Sequence, residues 1–522
     1  MGCDLIIKNA KIVDGTGSLA FKGSIAVDKG RIISVSRCAS PGGFDAADVY
    51  DAEGKVLSPG FIDIHCHTDE TVFRYPTADS KILQGVTTDL GGNCGISYAP
   101  VEDSRLDLLR SYVGEAPYNW HSYAEYFDRL EELKPSVNLA CGVGHGTLRI
   151  AVMGFDKRQA SEEELAEMKR LLAKALDDGA FMFSSGLVYP PGLYGDSNEI
   201  VELCKVVAEK GSFYATHMRN EGLFIETALR EAIDTAKASG VSIEISHHKV
   251  ARKERWGASR DTIAMIDQAR ADGVDIWADQ YPYTASSTYF SSNVPSWAFE
   301  GGVEALEERL KDPETKVRIL QDMDESHLGR WQDIVLGYTA AEEFRQYMGK
   351  DMITIGKLMG CTPSEASVMI VQADANNAFE INYGMCEDDI EYIMKQPYVS
   401  IGSDGWAYSM DYPGLPHPRC YGTFPRVISH YSRDRKLFPL ETAIYKMTGL
   451  PAGRIGLKDR GVIKAGNYAD LTVFVPLTIK DDPTYDEPEK PCSGIARVYV
   501  NGVLTAKDGV HTGARAGQII RR

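Results

Sequence analysis

Two histidines two residues apart, His65 and His67, close the run Pro59-Gly60-Phe61-Ile62-Asp63-Ile64-His65-Cys66-His67. Phe61, Ile62 and Ile64 have the apolar character of a short buried strand, and the two-residue period of a strand sends both imidazoles to one side. Two imidazoles on one side are half of a metal site. Single histidines are usually ordinary core or surface residues, whereas His-x-His at the end of an apolar strand is far less casual. His217, His247 and Asp404 also close apolar runs, Phe213-Tyr214-Ala215-Thr216-His217, Ser242-Ile243-Glu244-Ile245-Ser246-His247 and Val399-Ser400-Ile401-Gly402-Ser403-Asp404. Histidines and a carboxylate far apart in the chain do chemistry together only if a fold gathers the ends of their strands.

The elements between them suggest that fold. Further candidate strands end at Asp89, Val143, Phe183 and Asp279, which with the runs above makes eight. Helical stretches alternate with several of them. The clearest runs from Ser161 to Leu176, where Ser161 and Glu164 form a capping box, Leu165, Met168, Leu171, Leu172 and Leu176 make one apolar face, and Gly179 terminates. Alternating strands and helices predict an α/β chain built on a (β/α)8 TIM-like barrel, whose catalytic groups sit at the C-terminal ends of the strands. Outside this segment the pattern is short β at both ends, with Asn501-Gly502 a strong hairpin signal. A small β-sandwich domain from 1–57 and 456–522 is therefore expected around a barrel spanning 58–455. The gap between strands seven and eight is too long for a loop, and Val303 to Asp322 reads as helical, so an inserted lid is expected at about 290–395.

Composition narrows the partners. The 522 residues carry 43% hydrophobic and 25% charged side chains, ordinary values for a chain that buries a large core. A formal net charge of -18 repels phosphate backbones and anionic membranes, so neither nucleic acid nor a membrane is an expected partner, while a local basic pocket for a small anion remains open. No run is long and apolar enough to span a bilayer. The ten cysteines lack framework spacing, and the N-terminus lacks a basic segment followed by an apolar run, so a cytoplasmic protein with reduced thiols is expected.

The strand-end histidines, the aspartate after strand eight and the closing segment Ala465-Gly466-Asn467-Tyr468-Ala469-Asp470-Leu471 together resemble the amidohydrolase superfamily over nearly the whole chain. Many of its members bridge two metals with a carbamylated lysine after strand four. Here strand four runs into Ser184-Ser185-Gly186-Leu187 and offers no lysine, whereas Gly91-Gly92-Asn93-Cys94-Gly95 after strand two offers a cysteine. That pattern resembles the N-acyl-D-amino-acid deacylases, or D-aminoacylases, as do Gly144-His145-Gly146-Thr147, Thr216-His217-Met218-Arg219, Ser246-His247-His248-Lys249, Tyr281-Pro282-Tyr283 and Ser403-Asp404-Gly405.

The resemblance implies zinc-dependent hydrolysis of the amide of N-acyl-D-amino acids. Chemically, Cys94, His217 and His247 supply a thiolate and two imidazoles to one tight zinc with a position left for water, and zinc brings the pKa of water to about 7. The family pattern adds His65, His67 and Asp404 as donors to a second, weaker site. Asp404 is the expected general base, taking a proton from the attacking water and returning it to the leaving amine. Arg219, Lys249 and Arg419 are candidate partners of a substrate carboxylate, and Tyr189 and Tyr283 candidate donors to that carboxylate or to the amide oxygen. A cyclic-amide hydrolase of the dihydropyrimidinase or hydantoinase kind should show the missing strand-four lysine, and a non-catalytic scaffold should have lost ligands. Neither the acyl group, the preferred side chain nor the oligomeric state is legible.

Overall fold

A computed structural model describes residues 2–374 and 377–522. Eight short strands rich in Ile, Val, Ala and Phe follow one another around a ring: Phe61–Asp63, Val86–Gly91, Asn138–Cys141 continued by Val143–Gly144, Met182–Gly186, Phe213–His217, Ser242–Ile245, Ile276–Gln280 and Val399–Ile401. Each pairs in parallel with the next. The ring closes between the eighth and the first, where Cys66 and Gly405 form a parallel bridge and the Asp404 N–H donates to the His65 carbonyl at 2.7 Å. This is the expected barrel. Its strands are buried throughout because helices cover them, among them Glu162–Asp177, Ser197–Glu209, Ile225–Ser239 and Ser259–Ala271, whose Leu172, Leu203, Ile233 and Ile266 share one buried core with Phe183, Ala215, Ile243 and Ile276 of the strands. Ser161 caps the first of these helices, and both halves of the box with Glu164 are formed.

Several strands stop earlier than their sequence suggests. The first ends at Asp63, the sixth at Ile245 and the eighth at Ile401, so His65, His67, His247 and Asp404 stand on the turns that follow. The segment 137–143 is interrupted at Gly142, whose carbonyl lies 2.2 Å from where a Cβ on Gly92 would be.

The two chain ends build one nine-stranded sheet. Its seam is the antiparallel pair Val56–Pro59 with Leu471–Phe474, and Val56–Pro59 runs directly into the first barrel strand. Asn501 and Gly502 have φ of 50° and 80° and join two of its strands, as the hairpin signal required.

Between strands seven and eight lies a three-stranded antiparallel sheet, Ser286–Tyr289 and Ile334–Tyr338 flanking Phe379–Asn382, with its own core around Phe290, Ile319, Met323 and Leu336. The helix expected from Val303 to Asp322 is two helices, Val303–Lys311 and Pro313–Ser326. Pro313 has no N–H to continue the first, and the Asp312 side chain accepts from the Thr315 N–H at 2.9 Å to start the second. Among the described residues no helix is long and apolar enough to cross a membrane, and all ten cysteines are free.

Candidate active site

The C-terminal ends of the barrel strands gather the donors around Cys94. Its Sγ is 3.4 Å from His65 Nε2 and 3.4 Å from His247 Nε2, and His247 Nε2 is 3.0 Å from His217 Nδ1. On the other side of the sulfur, Asp404 Oδ1 lies 3.1 Å from His67 Nε2 and 3.5 Å from His65 Nε2. The ligand atoms of His65, Cys94, His247 and Asp404 all lie within 4.8 Å of one another. All six side chains are buried.

Three of these residues hold a backbone that L-amino acids rarely adopt. Cys94, His247 and Asp404 have φ of 53°, 37° and 51°, left-handed values for non-glycine residues that cost on the order of 1–3 kcal/mol each. Such turns aim the side chains inward at a point that a continuing strand would miss. The glycines around Cys94 serve the same turn. Gly95 has φ of 79°, and a Cβ there would stand 2.6 Å from the Gly186 nitrogen of strand four. Gly95→Ala is therefore expected to push the Cys94 loop off strand four and to lower the affinity for metal by about 10–100-fold, the scale that follows disturbance of a site's supports, read by chelator competition.

Carboxylates outside the donor ring orient it. Glu221 lies 3.3 Å from His217 Nε2 and 3.0 Å from His247 Nδ1, and Lys249 Nζ stands 2.7 Å from the same His247 Nδ1, so the two rings are fixed from outside by Glu221 and Lys249 together, with His247 Nε2 3.0 Å from His217 Nδ1. Asp279 is 3.0 Å from His65 Nδ1 and accepts the His247 N–H at 2.9 Å. Glu70 is 2.7 Å from His67 Nδ1. Charge follows the same logic: burial raises the Cys94 thiol, but His247 and His65 together hold it well below the usual thiol range. For His217 burial works downward, and Glu221 and Cys94 together outweigh it, lifting the ring to about 9.

This donor set fits zinc. Nitrogens of two rings 3.0 Å apart, with the Cys94 sulfur 3.4 Å from one of them, make the mixed nitrogen and sulfur donor set that zinc takes. With metal–ligand distances of about 2.0–2.3 Å, neighbouring ligands of a tetrahedron stand roughly 3.3–3.7 Å apart, close to the spacings around Cys94. Strand four contributes no ligand. Ser184 Oγ instead receives the Gly95 N–H at 3.1 Å and donates to the Gly92 carbonyl at 2.6 Å, holding the cysteine loop.

The donors open into a chamber of about 200 Å³ bounded also by Tyr189, Lys249, Arg419 and Glu380. Arg419 is 1% exposed and sits 2.7 Å from Asp404 Oδ2, donating its other Nη to the Ser287 carbonyl at 3.0 Å. Burial opposes ionisation of Asp404, and Arg419 is the chief charge that nonetheless holds it well below the usual carboxylate range. Lys249 Nζ is 2.6 Å from Glu221. Tyr189 packs edge-on against His217 and shares a 2.8 Å hydrogen bond with Thr288. A second cavity of about 280 Å³, with Phe155, Leu193 and Phe299 in its walls, adjoins the chamber across Ile96, Tyr189 and Tyr289.

Two residues expected at the chamber lie outside it. Arg219 is turned to Glu231 at 3.0 Å and to the carbonyls of Leu193 and Gly195, so its donors are spent on the loop after strand four. Tyr283 is buried between His417 and Arg426, its hydroxyl directed to the Pro418 carbonyl at 3.4 Å. The sequence reading missed Glu221, Glu70 and Glu380 and gave Asp279 no role. Glu221 carried one signal, its place four residues after His217, and Asp279 another, its place at a strand end.

Residues 48–506 match the profile of the Amidohydrolase family. The chain is 36% identical over 523 residues to a D-aminoacylase of Alcaligenes xylosoxydans xylosoxydans, covering 99% of this chain and 98% of the relative. It is similar to the solved structure of an N-acyl-D-glutamate deacylase from Bordetella bronchiseptica, complexed with zinc and a phosphonate mimic of the tetrahedral intermediate. The TM-score is 0.85 at 32% identity, covering 100% of both chains. A D-hydantoinase structure, 14% identical with a TM-score of 0.56 over 99% of both chains, shares the fold alone.

Proposed function

The chain belongs to the amidohydrolase family, and we propose that it is an N-acyl-D-amino-acid deacylase, hydrolysing the amide of a small substrate to a carboxylate and a free D-amino acid. The observation that carries the reading is Cys94, seated between His65 and His247 where strand four has no lysine to offer. Full-length likeness to two deacylases of D-configured substrates supports the configuration. The hydantoinase reading lacks its lysine, and a scaffold would not keep six buried donors turned inward.

Cys94, His217 and His247 would hold the tight zinc, and His65, His67 and Asp404 the second, weaker one; zinc bound there supplies Lewis acidity, polarising a carbonyl and acidifying water. The remaining work falls to the chain. Arg419 binds the carboxylate of the substrate and so fixes the scissile amide over Asp404, while Lys249, engaged by Glu221 and His247, bounds the same chamber. Asp404 takes a proton from the water that attacks the carbonyl carbon and passes it to the nitrogen as the C–N bond breaks. Tyr189, held by Thr288, donates to the amide oxygen as negative charge gathers there. Glu221, Asp279 and Glu70 act through the rings they orient. The free thiols fit a reducing compartment, and a cytoplasmic location belongs to the same reading.

A panel of N-acetyl-D- and N-acetyl-L-amino acids, with zinc measured on the same preparation, tests the reading; a preference for L substrates would overturn it. Arg419→Ala is expected to lower kcat/KM for the D acids about ten- to a hundredfold more than for the matching D-amino-acid amides, which have no carboxylate to lose. Both substrates should also lose something in common, because Asp404 is left without its 2.7 Å partner. Equal losses would make Arg419 a support of Asp404 and nothing more.

A further inference from the structure

The chamber wall contains a carboxylate that no step of the hydrolysis uses. Glu380 stands on Phe379–Asn382, the central strand of the inserted sheet, and reaches the metal-facing chamber while only 3% exposed. Its neighbours explain the burial. Thr288 lies directly across on one side and Leu336, part of the insertion's apolar core, on the other. Asn293 donates to one carboxylate oxygen, and Asn382 reaches the other at 3.5 Å. These amides offer hydrogen bonds but no charge.

The other ionic groups facing the chamber are matched. Arg419 lies 2.7 Å from Asp404 and Lys249 2.6 Å from Glu221, whereas among the described residues Glu380 has no ion pair. Arg330 draws its pKa down from a distance, yet burial prevails and pushes the carboxyl up to about 7. A buried carboxylate without a cation is costly to keep charged. A cation brought into the chamber would relieve that cost.

Substrate geometry brings the side chain to this wall. The side chain and the carboxylate of an amino acid leave the same carbon, so a carboxylate held by Arg419 leaves the side chain beside it. Ala251, two residues past Lys249, lines the same chamber with Asn382 and Glu380, and its carbonyl lies 2.6 Å from where a Cβ on Gly384 would stand. Arg419 itself donates to the Ser287 carbonyl at 3.0 Å, next to the Thr288 that faces Glu380, so the insertion's polar residues close the space next to the carboxylate anchor.

We propose that Glu380 is a specificity-determining residue that favours N-acyl-D-amino acids with a cationic side chain, of the lysine, ornithine or arginine type, and turns away those with a carboxylate side chain. This rests on the deacylase reading and deepens it, since full-length likeness to relatives of differing substrate does not choose the side chain.

The test compares kcat/KM of the zinc-loaded enzyme for Nα-acetyl-D-lysine, N-acetyl-D-norleucine and N-acetyl-D-glutamate. The lysine derivative is expected to exceed norleucine by about tenfold or more, the scale of one hydrogen bond to a charged group, and glutamate to fall below norleucine by a similar factor. Glu380→Gln keeps the shape and removes the charge, so the lysine-to-norleucine ratio should fall toward one and the glutamate-to-norleucine ratio should rise. The wild-type ratios decide the matter even if the variant does not fold. Norleucine hydrolysed as well as lysine, glutamate hydrolysed best, or ratios untouched in a folded Glu380→Gln enzyme would each overturn the proposal and leave the deacylase reading standing. If no N-acyl-D-amino acid is hydrolysed at all, the deacylase reading falls and takes the proposal with it.

Discussion

Cys94→Ala is expected to lose tight zinc and turnover together. The Cys94 sulfur touches both halves of the cluster, 3.4 Å from His65 and 3.4 Å from His247. Its removal takes both a ligand and the charge that offsets a divalent cation. Disturbing the outer supports of a metal site already costs about 10–100-fold in affinity or activity, so loss of the ligand itself should exceed that. Metal analysis after dialysis and initial rates on an N-acetyl-D-amino acid check the two effects on one preparation. Stoichiometric zinc in the alanine variant would remove Cys94 from the tight site. The backbone should survive, because Ser184 holds the neighbouring glycines rather than the sulfur.

The second large effect separates chemistry from metal binding. Asp404→Asn is expected to keep the zinc of Cys94, His217 and His247 and to lower kcat by about 10²–10⁴-fold, the usual worth of a positioned proton carrier. Asparagine preserves the left-handed turn at φ 51° better than most residues would, so the loss should not come from the backbone. The carboxylate has two neighbours with different consequences. Oδ2 faces Arg419 at 2.7 Å, and an amide there weakens the hold on that guanidinium, so KM for a carboxylate substrate should move less than kcat and in a direction set by Arg419. Oδ1 faces His67 at 3.1 Å, so any weak second zinc should be lost first. Two-step zinc titration, before and after the substitution, reads that loss. Near-native turnover with normal zinc would exclude Asp404 as the proton carrier.

What the sequence determined by itself was the set of groups and the frame that carries them. Apolar strand runs, capping boxes and hairpin pairs are decided within a few residues by backbone preference and apolar period, and that is why His65, His67, His217, His247 and Asp404 could be assigned to one end of a barrel before any distance was known. The Asn501-Gly502 turn and the Ser161 cap are legible for the same local reason. Tertiary structure decided how those groups are partnered. His67 and Asp404 meet across 337 positions of chain, and whether an arginine turns to a substrate or to a neighbour depends on loops from different strands. Arg219 and Arg419 read alike in sequence, yet the first finds Glu231 and two carbonyls outside the chamber while the second finds Asp404 within it. The left-handed turns at Cys94, His247 and Asp404 could not be foreseen either, because their cost is met by surrounding contacts such as the Asp279 bond to the His247 N–H, which exist only once the barrel has closed. Glu221 and Glu380 are hidden for a related reason. A carboxylate's meaning lies in which cations reach it, and that is a property of three-dimensional distance and burial rather than of neighbours along the chain.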